Sequence, residues 1–233
     1  MRAPAARPGS TVLGVTLVSP KYAALAPEAC RRFSAATGGE VLALWTNREP
    51  AYLLKLEIDR LVAPQPIVFF DVDLWFLRPF DFEPLATGGQ FCAVPDLCVE
   101  HPEGFPRRDC AREGWDTTRY FNSGLFACDL RRPEIREIFA EARRALAERV
   151  ASGRPAPSDY GDQFWFNAAL QGHPERYHAL PAELNFFAAA VAAGSYPHYP
   201  AGIIGLHAAG VRAERKLEAL QQQAAVFGPR ESL

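Results

Sequence analysis

Asp71 and Asp73 sit one residue apart in Phe69-Phe70-Asp71-Val72-Asp73-Leu74-Trp75-Phe76, a run that is otherwise apolar. Carboxylates are expensive to desolvate unless they are paired or bound to a cation. Two of them together where an apolar run ends suggest a divalent metal held by oxygen ligands. Ile67 to Phe70, bounded by Pro64 and Pro66 before and Pro79 after, reads as a short buried strand of the kind found in parallel sheets. In a strand side chains alternate faces, so Asp71 and Asp73 are expected to point the same way while Val72 points back into the protein. The plainer alternative is a strand end whose Asp residues only cap a turn.

The elements that must position this pair follow the order strand, helix, strand, helix, strand. Val12–Val18 is an apolar, β-rich run closing at Ser19-Pro20, and Glu28–Ala36 reads as a helix stopped by Thr37-Gly38-Gly39. Val41–Trp45 reads as the second strand, and Ala51–Val62, with leucines among charges, as the helix that delivers the chain to the Asp71 strand. This order predicts an α/β fold, a single Rossmann-like domain with a mostly parallel central sheet flanked by helices. In such sheets ligands gather at the carboxyl ends of the strands, where Asp71 and Asp73 fall. Further along, Gln90–Val94 reads as a strand and Pro95–Thr118 as a long polar loop of the lid type. A polar Asn122-Ser123-Gly124 step then leads into an apolar strand, and Pro133–Val150 reads as a long amphipathic helix with a solvated charged face. Ser152–Pro157 is expected to be a flexible break. Asp162–Leu170 is expected to be a helix capped by Asp159 or Asp162, and an Ala-rich stretch over 188–193 follows. Ile203–His207 is a short apolar run ending on an imidazole, and Lys216–Ala225 reads as a closing helix.

The chain has 233 residues, enough for one large domain, here 11–227, between a disordered lead-in at 1–10 and a tail at 228–233. A net charge of −2 carries no basic footprint, so a nucleic acid or an anionic membrane surface is not implied as a partner. The first ten residues lack the apolar core of a secretory signal, and no apolar run reaches transmembrane length. Five cysteines (30, 92, 98, 110 and 128) form no paired C-x-x-C, so a reduced, cytoplasmic protein is expected.

Four blocks in order carry a family resemblance: the apolar strand ending Asp71-Val72-Asp73, then Phe121-Asn122-Ser123-Gly124-Leu125-Phe126, then Gly161-Asp162-Gln163 opening a helix, then His207-x-x-Gly210. Together they resemble the GT-A nucleotide-sugar glycosyltransferases, and within them the retaining family-8 group that includes glycogenin and bacterial lipooligosaccharide galactosyltransferases. The resemblance implies a GT-A domain that moves a hexose from a nucleoside diphosphate sugar, a UDP-sugar foremost, to an unidentified acceptor with retained configuration. Mn²⁺ or Mg²⁺ is the implied cofactor, with Asp71, Asp73 and His207 as ligands and Asp71 also reaching the ribose. By the same likeness Asn122 and Ser123 lie against the donor sugar, Asp162 binds sugar hydroxyls, and Gln163 occupies the face opposite the leaving group. Lys55 matches a lysine near the nucleotide, Asn185 an asparagine that shapes the pocket, and Gly210 the glycine after the metal histidine. The family has a further Asp after Asp-Gln, where Phe164 stands here, and a phosphate-gripping Lys where Ala213 stands, with Arg212 or Lys216 as substitutes.

Taken singly, these residues have simpler readings. Asn122-Ser123-Gly124 makes a turn, Asp162 a helix cap, Lys55 a solvent-facing lysine and His207 a core or surface histidine. The Asp71 run also resembles the first motif of haloacid dehalogenase-type phosphatases, in which the first Asp is a nucleophile and the second a general acid. Those enzymes normally follow with a small residue and Thr, where Leu74-Trp75 stands here. A non-catalytic nucleotide-sugar binding protein is a further alternative. A nucleotidyltransferase fits poorly, because Ser19-Pro20-Lys21-Tyr22 does not make a Gly-rich phosphate loop.

Overall fold

The apolar run Leu13–Val18 forms β1, an inner strand of a six-stranded sheet, in a computed structural model that describes residues 12–48, 50–101, 104–153, 161–187 and 202–228. Across the sheet the order is Val41–Trp45 (β2), β1, Pro66–Phe70 (β3), Phe121–Asp129 (β6), Phe91–Pro95 (β5) and Tyr177–Ala179 (β7). β1 pairs in parallel with β2 and β3, and β5 with β7, while β6 runs antiparallel to both β3 and β5. The expected α/β fold with a flanked central sheet is therefore present, with a mixed region around β6. Leu74–Phe76 (β4), Phe186–Phe187 (β8) and Gly205–His207 (β9) make a second, three-stranded sheet with β9 in the middle.

Strand alternation divides the core. Ile67 and Phe69 of β3 face one apolar layer and Val68 and Phe70 the other. On the first side Phe69, Phe91 and Phe126 stack, with centroids 4.9 Å apart in each step, beneath Pro133–Ala151 (α5) and Asp162–Gln171 (α6). On the second, Phe33 of Ala26–Thr37 (α1) stacks on Phe70 at 4.7 Å and meets Phe76 edge-on at 5.5 Å. Gly14 makes that packing possible, because a Cβ there would lie 2.5 Å from the Phe33 ring. Gly14→Ala is therefore expected to cost about 1–3 kcal/mol, as overpacked cores do. Urea unfolding checks this, and a midpoint unchanged from the parent protein would refute it.

Three sequence expectations change. Ala51–Val62 is a tight 3-10 helix over Ala51–Glu57 followed by one α turn, Ile58–Leu61 (α2), and in the tighter winding Lys55 and Leu56 are both buried. The stretch Pro95–Thr118 is not a plain loop: it holds 3-10 turns at Leu97–Glu100 and Thr117–Arg119 and a helix at Phe105–Glu113 (α4). Its local signals are caps: Asp96 and Asp116 accept from backbone N–H groups two residues on, Pro106 opens α4, and Gly114 closes it at φ 71°. Third, Asn122-Ser123-Gly124 is no turn but the fully buried start of β6. There the register against β5 slips between Ala93 and Val94, a bulge of the sort that re-aims side chains beside functional sites.

The short α3 (Glu83–Thr87) and the closing α7 (Lys216–Phe227) complete the described helices. Trp75 and Phe76 are buried. The expected lead-in at 1–10, Asp159, most of the break at 152–157 and the Ala-rich 188–193 stretch lie outside the described residues.

Candidate active site

The turn joining β3 to β4 carries Asp71 and Asp73, so strand alternation is not what aligns them. Leu74 N–H donates to the Asp71 carbonyl at 2.8 Å, closing a tight turn just after the strand. Opposite it, β4 and β9 pair antiparallel with Leu74 against His207, and Ala208 N–H donates to the Asp73 carbonyl at 3.0 Å. That pairing brings the imidazole to the carboxylates. His207 Nε2 lies 3.3 Å from Asp73 Oδ1 and 3.8 Å from Asp71 Oδ2, and one ligand atom from each of the three lies within 4.8 Å of the others.

Each carboxylate divides its oxygens. Asp71 Oδ1 takes the Lys55 ammonium at 2.8 Å, and Asp73 Oδ2 takes the Lys216 ammonium, leaving Oδ2 and Oδ1 respectively toward His207. Lys216 Nζ also donates to the Ala208 carbonyl at 2.9 Å. Burial works against ionised Asp73, but His207 and Lys216 outweigh it and hold its carboxyl well below the usual carboxylate range. Burial likewise opposes the charge of Lys55, yet Asp162, 3.2 Å away, and Asp71 raise its pKa above the ordinary value. For Asp162 burial wins over Lys55, and its pKa is raised.

The N-terminus of α6 supplies the next side chains. Asn167 clamps α6 to β6 through both atoms of its amide, accepting from Phe121 N–H and donating to Phe121 O, each at 2.9 Å. One turn earlier, Asp162 therefore reaches Ser123, whose hydroxyl donates to it at 2.6 Å, and Gln163 reaches Asn122, whose amide donates to it at 2.8 Å. Asp162 makes no cap hydrogen bond; its carboxylate is used across the site. Asn122, Ser123, Asp162 and Gln163 line, with Lys55, Asp71, Asp73, His207 and Lys216, one cavity of about 270 Å³ walled by Tyr22 and Tyr52.

Nine of these residues, counting Asn185 and leaving out Lys216, were singled out from sequence, and the fold gathers them. Asn185 lies behind the cavity with its Oδ1 2.8 Å from His207 Nδ1. Gly210 and Arg212 do not line the cavity; Gly210 sits at φ 77°, and Arg212 lines a separate depression with Arg215 and Glu218. Lys216, the other candidate for the missing lysine, is the one that arrives. Sequence reasoning missed Asp96 as well as the two tyrosines. Asp96 is buried, its carboxyl pushed up by burial, and it accepts from Gln163 Nε2 at 2.8 Å. Its only sequence signal was an Asp after a proline at a loop start.

Gly124 tests whether a cation fits. A Cβ there would lie 2.5 Å from His207 Cε1 and 3.0 Å from Asp71 Oδ2, so the missing side chain keeps the space between them open. Two carboxylate oxygens and one imidazole nitrogen are a donor set suited to Mn²⁺. Gly124→Ala is expected to fold and to bind Mn²⁺ at least about tenfold more weakly, since displaced ligands cost that much. Electron paramagnetic resonance of free Mn²⁺ reads this directly, and parent-like affinity would refute it.

No protein-family model matches the sequence, and no curated protein does. Solved structures do match. Mouse xyloside xylosyltransferase 1, in its apo form, aligns with a TM-score of 0.58 at 11% identity, over 84% of this chain and 97% of that one. The apo structure of WbbM, described as a bifunctional glycosyltransferase, aligns with a TM-score of 0.61 at 15% identity, over 94% of this chain and 52% of that one. This chain thus spans about half of the WbbM chain. No helix among the described residues is long and apolar enough to cross a membrane. At these identities the likeness is one of fold: the chain has a mixed α/β fold like that of the aligned parts of both glycosyltransferases.

Proposed function

We propose that this protein is a divalent-metal-dependent glycosyltransferase of the GT-A type, transferring a hexose from a nucleoside diphosphate sugar, a UDP-sugar foremost, to an acceptor hydroxyl with retained configuration. The observation that carries the reading is the grouping of one ligand atom each from Asp71, Asp73 and His207 within 4.8 Å of one another in one cavity, on a fold shared with glycosyltransferases. A divalent ion held by these three residues supplies Lewis acidity toward the leaving diphosphate. Lys216 adds a cation beside them, taking the place of the lysine absent at Ala213. Asp71 also accepts from the ribose, while Ser123, Asn122 and Asp162 bind the sugar. Lys55 bridges Asp71 and Asp162 at 2.8 and 3.2 Å and holds the two carboxylates side by side facing the donor.

Retention is supported by what lines the cavity. Its carboxylates, among the described residues, are Asp71, Asp73 and Asp162, and each is paired with a lysine. An inverting transfer needs a general base within reach of the acceptor, and each of these carboxylates already accepts from an ammonium that would have to be displaced. Gln163 Oε1 already accepts from Asn122 Nδ2 and from Ser123 N–H at 3.3 Å, so in this reading it holds the sugar-binding residues rather than attacking. The phosphatase alternative is not favoured: the fold matches are glycosyltransferases, and the proposed nucleophile, Asp71, is committed to Lys55.

The test is incubation with UDP-, GDP- and dTDP-sugars and Mn²⁺, following nucleoside diphosphate release and, by NMR, the anomeric proton of the product. Donor-dependent release is expected. Tight donor binding without any release would instead favour a binding protein, and hydrolysis of a phosphate monoester with no donor bound would favour the phosphatase.

A further inference from the structure

One edge of the six-stranded sheet is β2, whose sequence Val41-Leu42-Ala43-Leu44-Trp45 is apolar at every position. Outermost strands are usually guarded by a lysine, a proline or a bulge that blocks further pairing, and β2 has none of these from 41 to 45. Two of its side chains are open to solvent, Leu42 at 36% and Trp45 at 63%. Bonds to β1 fix which peptide groups remain open. The Glu40 carbonyl accepts from Gly14 N–H at 2.8 Å and Thr46 N–H donates to the Val18 carbonyl at 3.0 Å, so the even-numbered residues turn their peptide groups toward β1. Val41, Ala43 and Trp45 therefore turn theirs outward, where no described strand lies. Charges of opposite sign flank the strand, Glu40 before it and Arg48 after it, and both are exposed.

We propose that β2 is a self-association edge, at which two copies of this chain join β2 to β2, antiparallel about a two-fold axis at Ala43, in one continuous sheet. Only residues with outward peptide groups form hydrogen-bonded pairs, so odd-numbered positions must meet odd-numbered ones. A centre at Ala43 sets that residue against its own counterpart, Val41 against Trp45 of the second copy, and Leu42 against Leu44. Every apolar residue of the strand then faces another, whereas a two-residue slip sets Trp45 against Gly39 or Val41 against Asn47. Trp45 is covered by Val41, and an aromatic ring opposite a β-branched side chain is a favourable cross-strand pair. Charge selects a second copy running in this direction. Glu40 stands opposite Thr46 and diagonal to Arg48, within reach of a long side chain, and the axis makes that contact twice. A parallel pairing in register would instead set Glu40 against Glu40 and Arg48 against Arg48. The contact is isologous, so it consumes the edge and stops at a dimer. The strands of the two copies run opposite ways, which puts the two cavities at opposite ends of the joined sheet, and no residue of β2 lines either one.

Sedimentation equilibrium of the full chain tests this. The mass is expected to rise from that of one chain toward twice that value between about 1 and about 300 μM, as a small transient interface gives. Trp45→Lys, at an exposed position outside the cavity, is expected to keep the parent's melting curve by circular dichroism and to dimerise at least about tenfold more weakly. Charge reversal then tests the direction and the partner together. Glu40→Arg and Arg48→Glu, both at exposed side chains, should each weaken self-association about tenfold, and an equimolar mixture of the two variants should recover it, since acid then meets base at both diagonals. A parent protein that stays monomeric over the whole range overturns the proposal. So does a folded Trp45→Lys with the parent's dimer affinity, which would move the contact to another face. A mixture no tighter than either charge variant alone overturns the antiparallel pairing at Ala43.

Discussion

Asp73→Asn is expected to lose Mn²⁺-dependent donor binding by more than about 100-fold, beyond what loss of an outer partner costs. The change removes the one charged oxygen that faces His207 at 3.3 Å, while the remaining amide oxygen can still accept from Lys216. Lys216 also keeps its bond to the Ala208 carbonyl, so the buried ammonium is not stranded and the fold survives. Titration of the variant with Mn²⁺, with and without UDP, checks the claim beside a circular dichroism melt. Affinity equal to that of the parent protein, in a folded variant, would remove Asp73 from the metal set. The acid limb of stability changes in parallel. In the parent protein Asp73 has a lowered folded pKa, so its contribution is full above the unfolded value of about 3.9 and fades as pH falls through the folded one. The variant lacks that limb.

Lys55→Met is expected to destabilise the protein by roughly 3–5 kcal/mol, the range for removing one partner of a buried ionic cluster. Asp71 and Asp162 both rely on this ammonium, at 2.8 and 3.2 Å, and Lys55 and Asp162 are buried. Without it, two carboxylates face each other and Asp162, whose pKa is already raised by burial, moves further up. The sign follows from proton counting. A carboxyl with a raised folded pKa binds more protons folded than unfolded, so stability grows as pH falls. The urea midpoint of Lys55→Met should therefore rise between about pH 8 and about pH 5, where an ordinary carboxylate with pKa near 4 stays ionised. A flat midpoint and a loss under about 1 kcal/mol, the size of an exposed ion pair, would show that Lys55 is not the neutralising charge.

The two effects have one origin. Three carboxylates, two lysines and an imidazole meet at one end of the sheet, and each lysine serves the residues on its own side of the cavity. Lys55 joins the Asp71 turn to the start of α6, and Lys216 joins Asp73 to the start of α7. The first tie bears on stability because Lys55 and Asp162 are dry. The second bears on the cation because it occupies one oxygen of Asp73 and leaves the other to the site.

Much of this was legible in the sequence for local reasons. Apolar, β-branched runs fixed β1, β2 and β3 to within a residue, since a buried strand needs little beyond such a run and a stop. The long α5 followed from its amphipathic period. Asp71 and Asp73 stood out by type and spacing, and Asn122, Ser123, Asp162, Gln163 and His207 by the family resemblance of the blocks that hold them; the fold gathers all seven around one cavity. What the sequence left open was set by contacts between distant segments. Whether Lys55 faced solvent or core depended on the 3-10 winding before α2, which its leucines and charges did not distinguish from an α-helix. Asn122-Ser123-Gly124 carries turn residues yet lies inside a strand, because β3 and β5 on either side capture its backbone. The choice of Lys216 over Arg212 was made by where α7 begins, not by spacing from His207. The sequence by itself thus determined which groups could do chemistry and the strands that end near them. Only the tertiary structure decided how they are wired: the β4–β9 pairing that carries His207 to Asp73, the lysines that divide each carboxylate, and the Asn122–Asn185 contact that reaches the imidazole. Hydrogen-bond direction and charge pairing depend on which atoms meet, and residues far apart in the chain meet only when it packs.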